Sequence, residues 1–155
     1  MITEAGCGMK IYLDNCCLNR PYDDLSNDIV RLEAETVLSI ISGCENGEWE
    51  LLVSDVLLDE ILIMSSLVRK QKVLLLYDVS ESNIELTDEI VARAKEFERF
   101  SIKSYDALHL ASAEIGNADV LLTTDRKFIS VANRSDATIK VKNPLKWLTE
   151  VRYER

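Results

Sequence analysis

The chain has 155 residues, 47% of them hydrophobic and 29% charged, with a formal net charge of −9. That length suits one domain with a core of its own. The acidity excludes a surface built for tight, sequence-independent phosphate binding, because such affinity comes from Lys and Arg displacing condensed counterions. No apolar run approaches the roughly 18 residues of a membrane span, and Met1 to Gly8 lack the basic and apolar regions of a secretory signal. A cytoplasmic protein with no membrane partner is therefore expected. Cys7, Cys16, Cys17 and Cys44 do not fall at zinc-ligand spacings, and His109 is the single histidine. On an extended strand Cys16 and Cys17 would point to opposite faces, so the thiols read as buried and reduced.

In chain order, residues 1–9 read as a flexible leader with Met9 an alternative start, residues 10–148 as a single domain and residues 149–155 as a C-terminal tail. Lys10 to Leu13 is short, apolar and β-competent, and the turn-rich Asn19-Arg20-Pro21-Tyr22-Asp23-Asp24 places a loop after it. From Asp28 to Cys44, Ile29, Leu32, Val37, Leu38 and Ile41 recur at helical spacing, with Ser26 or Asn27 as cap and Gly43 or Gly47 as stop. Trp49 to Val53 reads as a second strand, and Ser54 caps a helix running through about Ser66. Val68 to Tyr77 is a further helix, followed by an extended piece at Asn83 to Leu86. Thr87 caps a strongly periodic helix that turns Ile90, Val91, Ala94, Phe97 and Phe100 inward and Arg93, Lys95, Glu96 and Glu98 outward. Ser104 caps the next helix, whose Ala107, Leu108, Leu110, Ala111 and Ala113 leave little polar surface, and Gly116-Asn117 ends it. Asp119 to Leu122 is a strand, Asp125 opens a short helix, and Ala137 to Lys142 is a last strand before Pro144. Strands alternating with helices point to a three-layer α/β/α fold with a mainly parallel central sheet.

Four acids stand at the edges of these segments. Asp14 follows the first strand, Glu60 lies two turns into the helix after the second, Asp106 is in the first turn of a helix, and Asp125 follows Val120-Leu121-Leu122-Thr123-Thr124. Functional sites in open parallel sheets gather beyond the carboxyl ends of the strands, which all four acids can reach. Carboxylates about 5 Å apart repel by roughly 3 kcal/mol per pair at an effective dielectric of about 20, so a fold that collects them needs a hard divalent cation. Each has a plainer reading too. Asp106 and Asp125 favour helix N-termini electrostatically, and Asp14 suits a turn. Glu60 resists that treatment, since apolar Leu57, Ile61 and Met64 crowd it and a carboxylate is costly to bury without a partner.

Leu13-Asp14-Asn15, Ser54 followed by Glu60, the run Asp106-Ala107-Leu108-His109-Leu110-Ala111 and the run Ala118 to Asp125 resemble, in order, the four signature segments of the PIN-domain ribonucleases. That family includes the toxin halves of many toxin–antitoxin pairs, and the likeness runs from about Lys10 to Leu148. It implies Asp14, Glu60, Asp106 and Asp125 as catalytic acids that hold Mg²⁺ or Mn²⁺, with Thr123 or Thr124 adding a hydroxyl near the fourth. Many members carry a small hydroxyl or amide residue two places after the first acid, where this chain has Cys16; Asn15 is the substitute to consider.

The resemblance implies metal-dependent hydrolysis of RNA by a toxin-like endoribonuclease, with RNA as substrate, a cognate antitoxin as partner and a homodimer as assembly. Arg20, Lys103, Arg126 and Lys127 are candidate contacts to flanking phosphates, and equally readable as solvated surface cations. His109 reads as a hydrogen-bonded core histidine, and Trp49 and Trp147 as packing residues. The apolar residues of Leu57 to Leu67 and Val73 to Leu76 serve either an antitoxin surface or the core. The alternative function is a catalytically inactive PIN-like RNA-binding or protein-interaction module, against which the retention of all four acids counts. A haloacid-dehalogenase-like phosphatase is disfavoured because no second Asp stands two places after Asp14.

Overall fold

The computed structural model describes residues 8–153, so most of the leader segment lies outside the described residues. A five-stranded parallel sheet has the order β3-β2-β1-β4-β5. Its strands are β1 (Lys10–Leu13), β2 (Glu50–Ser54), β3 (Ser82–Ile84), β4 (Val120–Leu122) and β5 (Lys140–Lys142). The register sets Ile11 beside Leu51 and Val120, Tyr12 beside Leu52 and Leu121, and Leu13 beside Leu122. Because side chains alternate across a strand, that register sorts the core into two layers. Ile11, Leu13, Leu51, Val53, Val120 and Leu122 face one layer, while Tyr12, Leu52, Leu121 and Val141 face the other. Burial on both faces is why the central strands read as unbroken apolar runs.

The first layer is closed by α1 (Asn15–Asn19), α2 (Asp28–Glu45), α3 (Asp55–Leu62), α4 (Leu67–Tyr77) and α8 (Pro144–Tyr153). The second is closed by α5 (Asp88–Glu98), α6 (Ser104–Ile115) and α7 (Arg126–Asn133). The result is the expected α/β/α sandwich. Among the described residues no helix is long and apolar enough to cross a membrane. Asn27, Ser54, Ser66, Thr87 and Asp125 all accept backbone N–H bonds at the first turns of their helices, supplying the partners that helix N-termini lack.

Several local expectations change. The segment after β1 is the short helix α1 continued by a 3-10 turn at Arg20–Tyr22, not a loop, so Cys16 and Cys17 never lie on a strand. The helix after β2 stops at Leu62, well short of Ser66. Lys103, not Ser104, occupies the cap position of α6, without a side-chain bond. Ile29, Leu32 and Leu38 are exposed, and α2 buries Ala34, Val37, Ile40 and Ile41 in their stead. Phe100 is likewise exposed. Arg93 is drawn into ion pairs with Glu96, Glu114 and Asp136 while stacking on Phe97. Residues 149–153, read as the start of a tail, continue α8.

Gly43 does not stop α2. A Cβ there would stand 2.6 Å from the Trp49 ring, so the missing side chain is what lets Trp49 pack against the helix. The turn that ends α2 uses Gly47 at φ +81°, a backbone state that a Cβ disfavours. Trp49 pairs edge-to-face with Trp147, with ring centroids 5.1 Å apart.

Candidate functional site

Asp14 follows the last residue of β1 and caps α1. Its amide donates to Leu122 O of the neighbouring strand, fixing it at the carboxyl edge of the sheet. Its side chain is buried, and Oδ1 accepts from Cys17 N at 3.0 Å and from Cys16 Sγ at 2.8 Å. The support that the usual hydroxyl or amide residue would give therefore comes from the Cys16 thiol. Asn15, the expected substitute, accepts from Asn19 Nδ2 at 2.9 Å and is occupied there. Cys16 Sγ also lies 3.2 Å from Thr123 Oγ1 and accepts from Thr124 Oγ1 at 3.2 Å, joining the ends of β1 and β4.

Thr123 Oγ1 in turn accepts from Asp125 N at 3.1 Å. Asp125 is the cap of α7, its Oδ1 accepting from Lys127 N and Phe128 N at 3.0 and 3.1 Å. Glu60, on α3, is held through Oε1 by His109 Nε2 at 2.8 Å. In Asp14, Glu60 and Asp125 the hydrogen bonds thus fall on one carboxylate oxygen. Asp106, in the first turn of α6, shares a cavity of about 80 Å³ with Asp125, lined also by Lys103, Lys127 and Phe128.

Electrostatics tie the four together. Burial first, then the charges of Asp14 and Asp125 with a further share from Glu60, push the Asp106 carboxyl up to about 6. Burial, and next the adjacent Cys16, lift the Asp14 carboxyl well above the ordinary carboxylate range. The Cys16 thiol is drawn down to about 6 by the neighbouring Cys17 thiol, against the cost of burial and with help from Asp14, Thr123 and Thr124. Cys17 is different: burial pushes its thiol up, and it donates to Leu122 O.

Asp106 therefore feels the charge of the other three acids at this edge of the sheet, but the four do not form a closed cage. Among the described residues the one trio of potential ligand atoms mutually within 4.8 Å is Asp14, Cys16 and Cys17. Its buried Cys17 thiol is committed to a backbone carbonyl. The hard oxygen donors suit Mg²⁺ or Mn²⁺, and their open spacing suits an ion that keeps several of its waters. Mutual repulsion opposes closer approach without a cation.

Of the four candidate cations, Arg20 is occupied internally. Its guanidinium pairs with Asp23 and with the buried Glu33, which also accepts from Asn143 Nδ2 at 2.6 Å. Lys103, Arg126 and Lys127 are exposed, the two lysines on the rim of the cavity that holds Asp106 and Asp125. On α3, α4 and the turn between them, Leu57, Ile61 and Val73 are core residues, whereas Leu62, Ile63, Leu67, Val68 and Leu75 are exposed.

Sequence reasoning missed Tyr12 as a part of this edge, and placed Ser54 in a signature segment without its bond to Tyr12. Tyr12 Oη sits 2.6 Å from both Ser54 Oγ and His109 Nδ1. The available signal was a lone phenol in an otherwise aliphatic strand core, one residue removed from the first acid. His109 is the hydrogen-bonded core histidine expected, but one of its bonds goes to Glu60.

A parallel sheet in this order, with four acids along its carboxyl edge, defines a three-layer α/β/α protein of the PIN type. The sequence profile of the PIN domain matches residues 12–134. A comparison with curated protein sequences gives no match. Among solved structures, VapBC2 from Rickettsia felis, bound to a DNA fragment from its promoter, superposes with a TM-score of 0.59 at 16% identity, over 87% of this chain and 98% of that one. PAE2754 from Pyrobaculum aerophilum gives 0.55 at 11% identity, over 92% and 89%. The chain belongs to the PIN-domain family, whose members are generally nucleases.

Proposed function

We propose that the protein is a metal-dependent endoribonuclease that hydrolyses RNA phosphodiester bonds, with Asp14, Glu60, Asp106 and Asp125 as its metal-holding acids. The observation that carries this reading is the PIN-domain match over residues 12–134 together with the placing of Asp106 and Asp125 in one cavity, beside the end of the strand that carries Asp14. A carboxyl shifted by burial and by like charges in a cleft marks a functional-site candidate. Mg²⁺ or Mn²⁺, when bound, would supply Lewis-acid activation of water and neutralise charge on the phosphodiester.

The residues of the chain supply orientation. Cys16 and the Cys17 amide hold Asp14, the first turn of α7 holds Asp125, and His109 holds Glu60, so the acids are aimed before an ion arrives. Lys103 and Lys127, beside Asp106 and Asp125, would meet the phosphates flanking the cut. With a net charge of −9, grip on RNA is local. As a partner we propose a small antitoxin protein, in keeping with the family's toxin members and the likeness to VapBC2. The exposed Ile63, Leu67 and Val68 are the candidate apolar contacts for it.

The test is cleavage of a structured RNA in Mn²⁺ or Mg²⁺ against chelator, with Asp14→Asn and Asp106→Asn as controls. Metal-dependent cutting that both substitutions abolish while the fold persists supports the reading. Variants that cut as fast as the parent place the chemistry elsewhere.

A further inference from the structure

Behind Glu60 runs a chain of polar groups inside an apolar layer. Leu57 N donates to Ser54 Oγ at 3.0 Å, Ser54 Oγ lies 2.6 Å from Tyr12 Oη, Tyr12 Oη lies 2.6 Å from His109 Nδ1, and His109 Nε2 lies 2.8 Å from Glu60 Oε1. Ser54 and Tyr12 are fully buried and His109 is 2% exposed, so solvent cannot serve any of the three. Each proton must go to the next member.

Proton counting gives the chain a direction. Ser54 Oγ already accepts from the Leu57 amide, and the one further partner for its hydroxyl among the described residues is Tyr12. If Ser54 donates to Tyr12, Tyr12 spends its single proton on His109 Nδ1. Nδ1 is then an acceptor, the ring proton sits on Nε2, and Nε2–H donates to the Glu60 carboxylate. The opposite direction strands the Ser54 proton in an apolar layer and puts a proton on Nδ1. It then requires either a doubly protonated ring or a protonated Glu60.

We infer that His109 is a positioning residue for the acid site: locked by Tyr12 and Ser54 in its Nε2–H tautomer, it aims Glu60 by holding Oε1, leaving Oε2 free to face a cation. The part concerning a cation rests on the proposed nuclease reading; the tautomer does not. An outer partner that fixes the orientation of a ligating carboxylate typically accounts for about 10- to 100-fold in metal affinity. A histidine that merely filled the core would leave that affinity alone.

Two measurements test this. Because His109 is the only histidine in the chain, long-range ¹H–¹⁵N correlation spectra of the metal-free protein contain one imidazole. The expected pattern at neutral pH is unprotonated Nδ1 and protonated Nε2, with Tyr12→Phe moving the Nδ1 signal and releasing the ring to mixed tautomers. An Nδ1–H tautomer, a doubly protonated ring or averaged tautomers in the parent overturns the inference. In Mn²⁺ calorimetry, His109→Leu should weaken binding at least about tenfold, and His109→Gln, whose amide can donate to Glu60, should recover most of the loss. Unchanged affinity in His109→Leu, or equal losses in both variants, overturns it as well. If the parent binds no Mn²⁺, the nuclease reading fails by itself and the tautomer decides the relay.

Discussion

The acid cluster should weaken the metal-free fold, and Asp106 shows by how much. Its carboxyl rises from 3.8 to about 6 on folding, so the folded protein holds that proton more tightly than the unfolded chain. Linkage then fixes the sign: the contribution to stability is most favourable below the unfolded pKa and is lost as pH climbs from about 4 to about 6. At 1.36 kcal/mol per tenfold in proton affinity, the loss amounts to at most about 3 kcal/mol. The Asp14 carboxyl, also raised, acts in the same direction. Urea unfolding at pH 7.5 should therefore find Asp106→Asn more stable than the parent by about 1 to 3 kcal/mol, with a flatter pH dependence between about 4 and 6. Mn²⁺ should stabilise the parent, by about 2.7 kcal/mol at a hundredfold excess over its Kd, and Asp106→Asn far less. A variant no more stable than the parent, or equal stabilisation of both by Mn²⁺, would refute the idea that burial and like charge at this edge cost the metal-free fold stability.

Other expectations follow from single contacts. Cys16→Ser keeps a donor for Asp14 and should cleave RNA at near the parental rate, whereas Cys16→Ala should lose about 1 kcal/mol of support for that carboxylate and cut measurably more slowly. Gly43→Ala improves helix propensity by about 1 kcal/mol, but its Cβ meets the Trp49 ring at 2.6 Å. A net destabilisation of about 1 to 2 kcal/mol is expected in thermal unfolding. Replacing Lys103 or Lys127 with Ala should raise the KM for RNA and flatten its salt dependence by about one counterion each, with kcat little changed.

The parts of the fold legible in the sequence are those where one physical rule dominates. Lys10–Leu13, Glu50–Ser54 and Val120–Leu122 are buried on both faces, so they announce themselves as apolar runs, and Ser54, Thr87 and Asp125 announce helix starts by their capping chemistry. What stayed hidden depends on tertiary partners. The five residues of α1 are too few for a period, and only the Asp14 cap and the packing of Cys17 and Leu18 fix them. α2 carries apolar residues on more than one face, and the sheet's position decides that Val37, Ile40 and Ile41 go in while Ile29 and Leu38 stay out. Pro144 was a usable signal, since proline favours the first turn of a helix, and it opens α8. At the site, the four acids could be read by their places relative to strands. Of their supports, the Thr123 hydroxyl beside Asp125 could be read too, whereas the contacts of Cys16 with Thr124, and of Tyr12 with Ser54 and His109, could not, because they meet across long sequence separations.

On the proposed function the four acids serve one cation. Crystals grown or soaked with Mn²⁺ and examined by anomalous scattering test it most directly. The expected result is a peak at the carboxyl edge of the sheet, coordinated by Asp14 and Asp106 with Glu60 or Asp125 within reach through water. No peak there at saturating Mn²⁺, or a peak seated only on other acids such as Asp23 and Glu33, would contradict it.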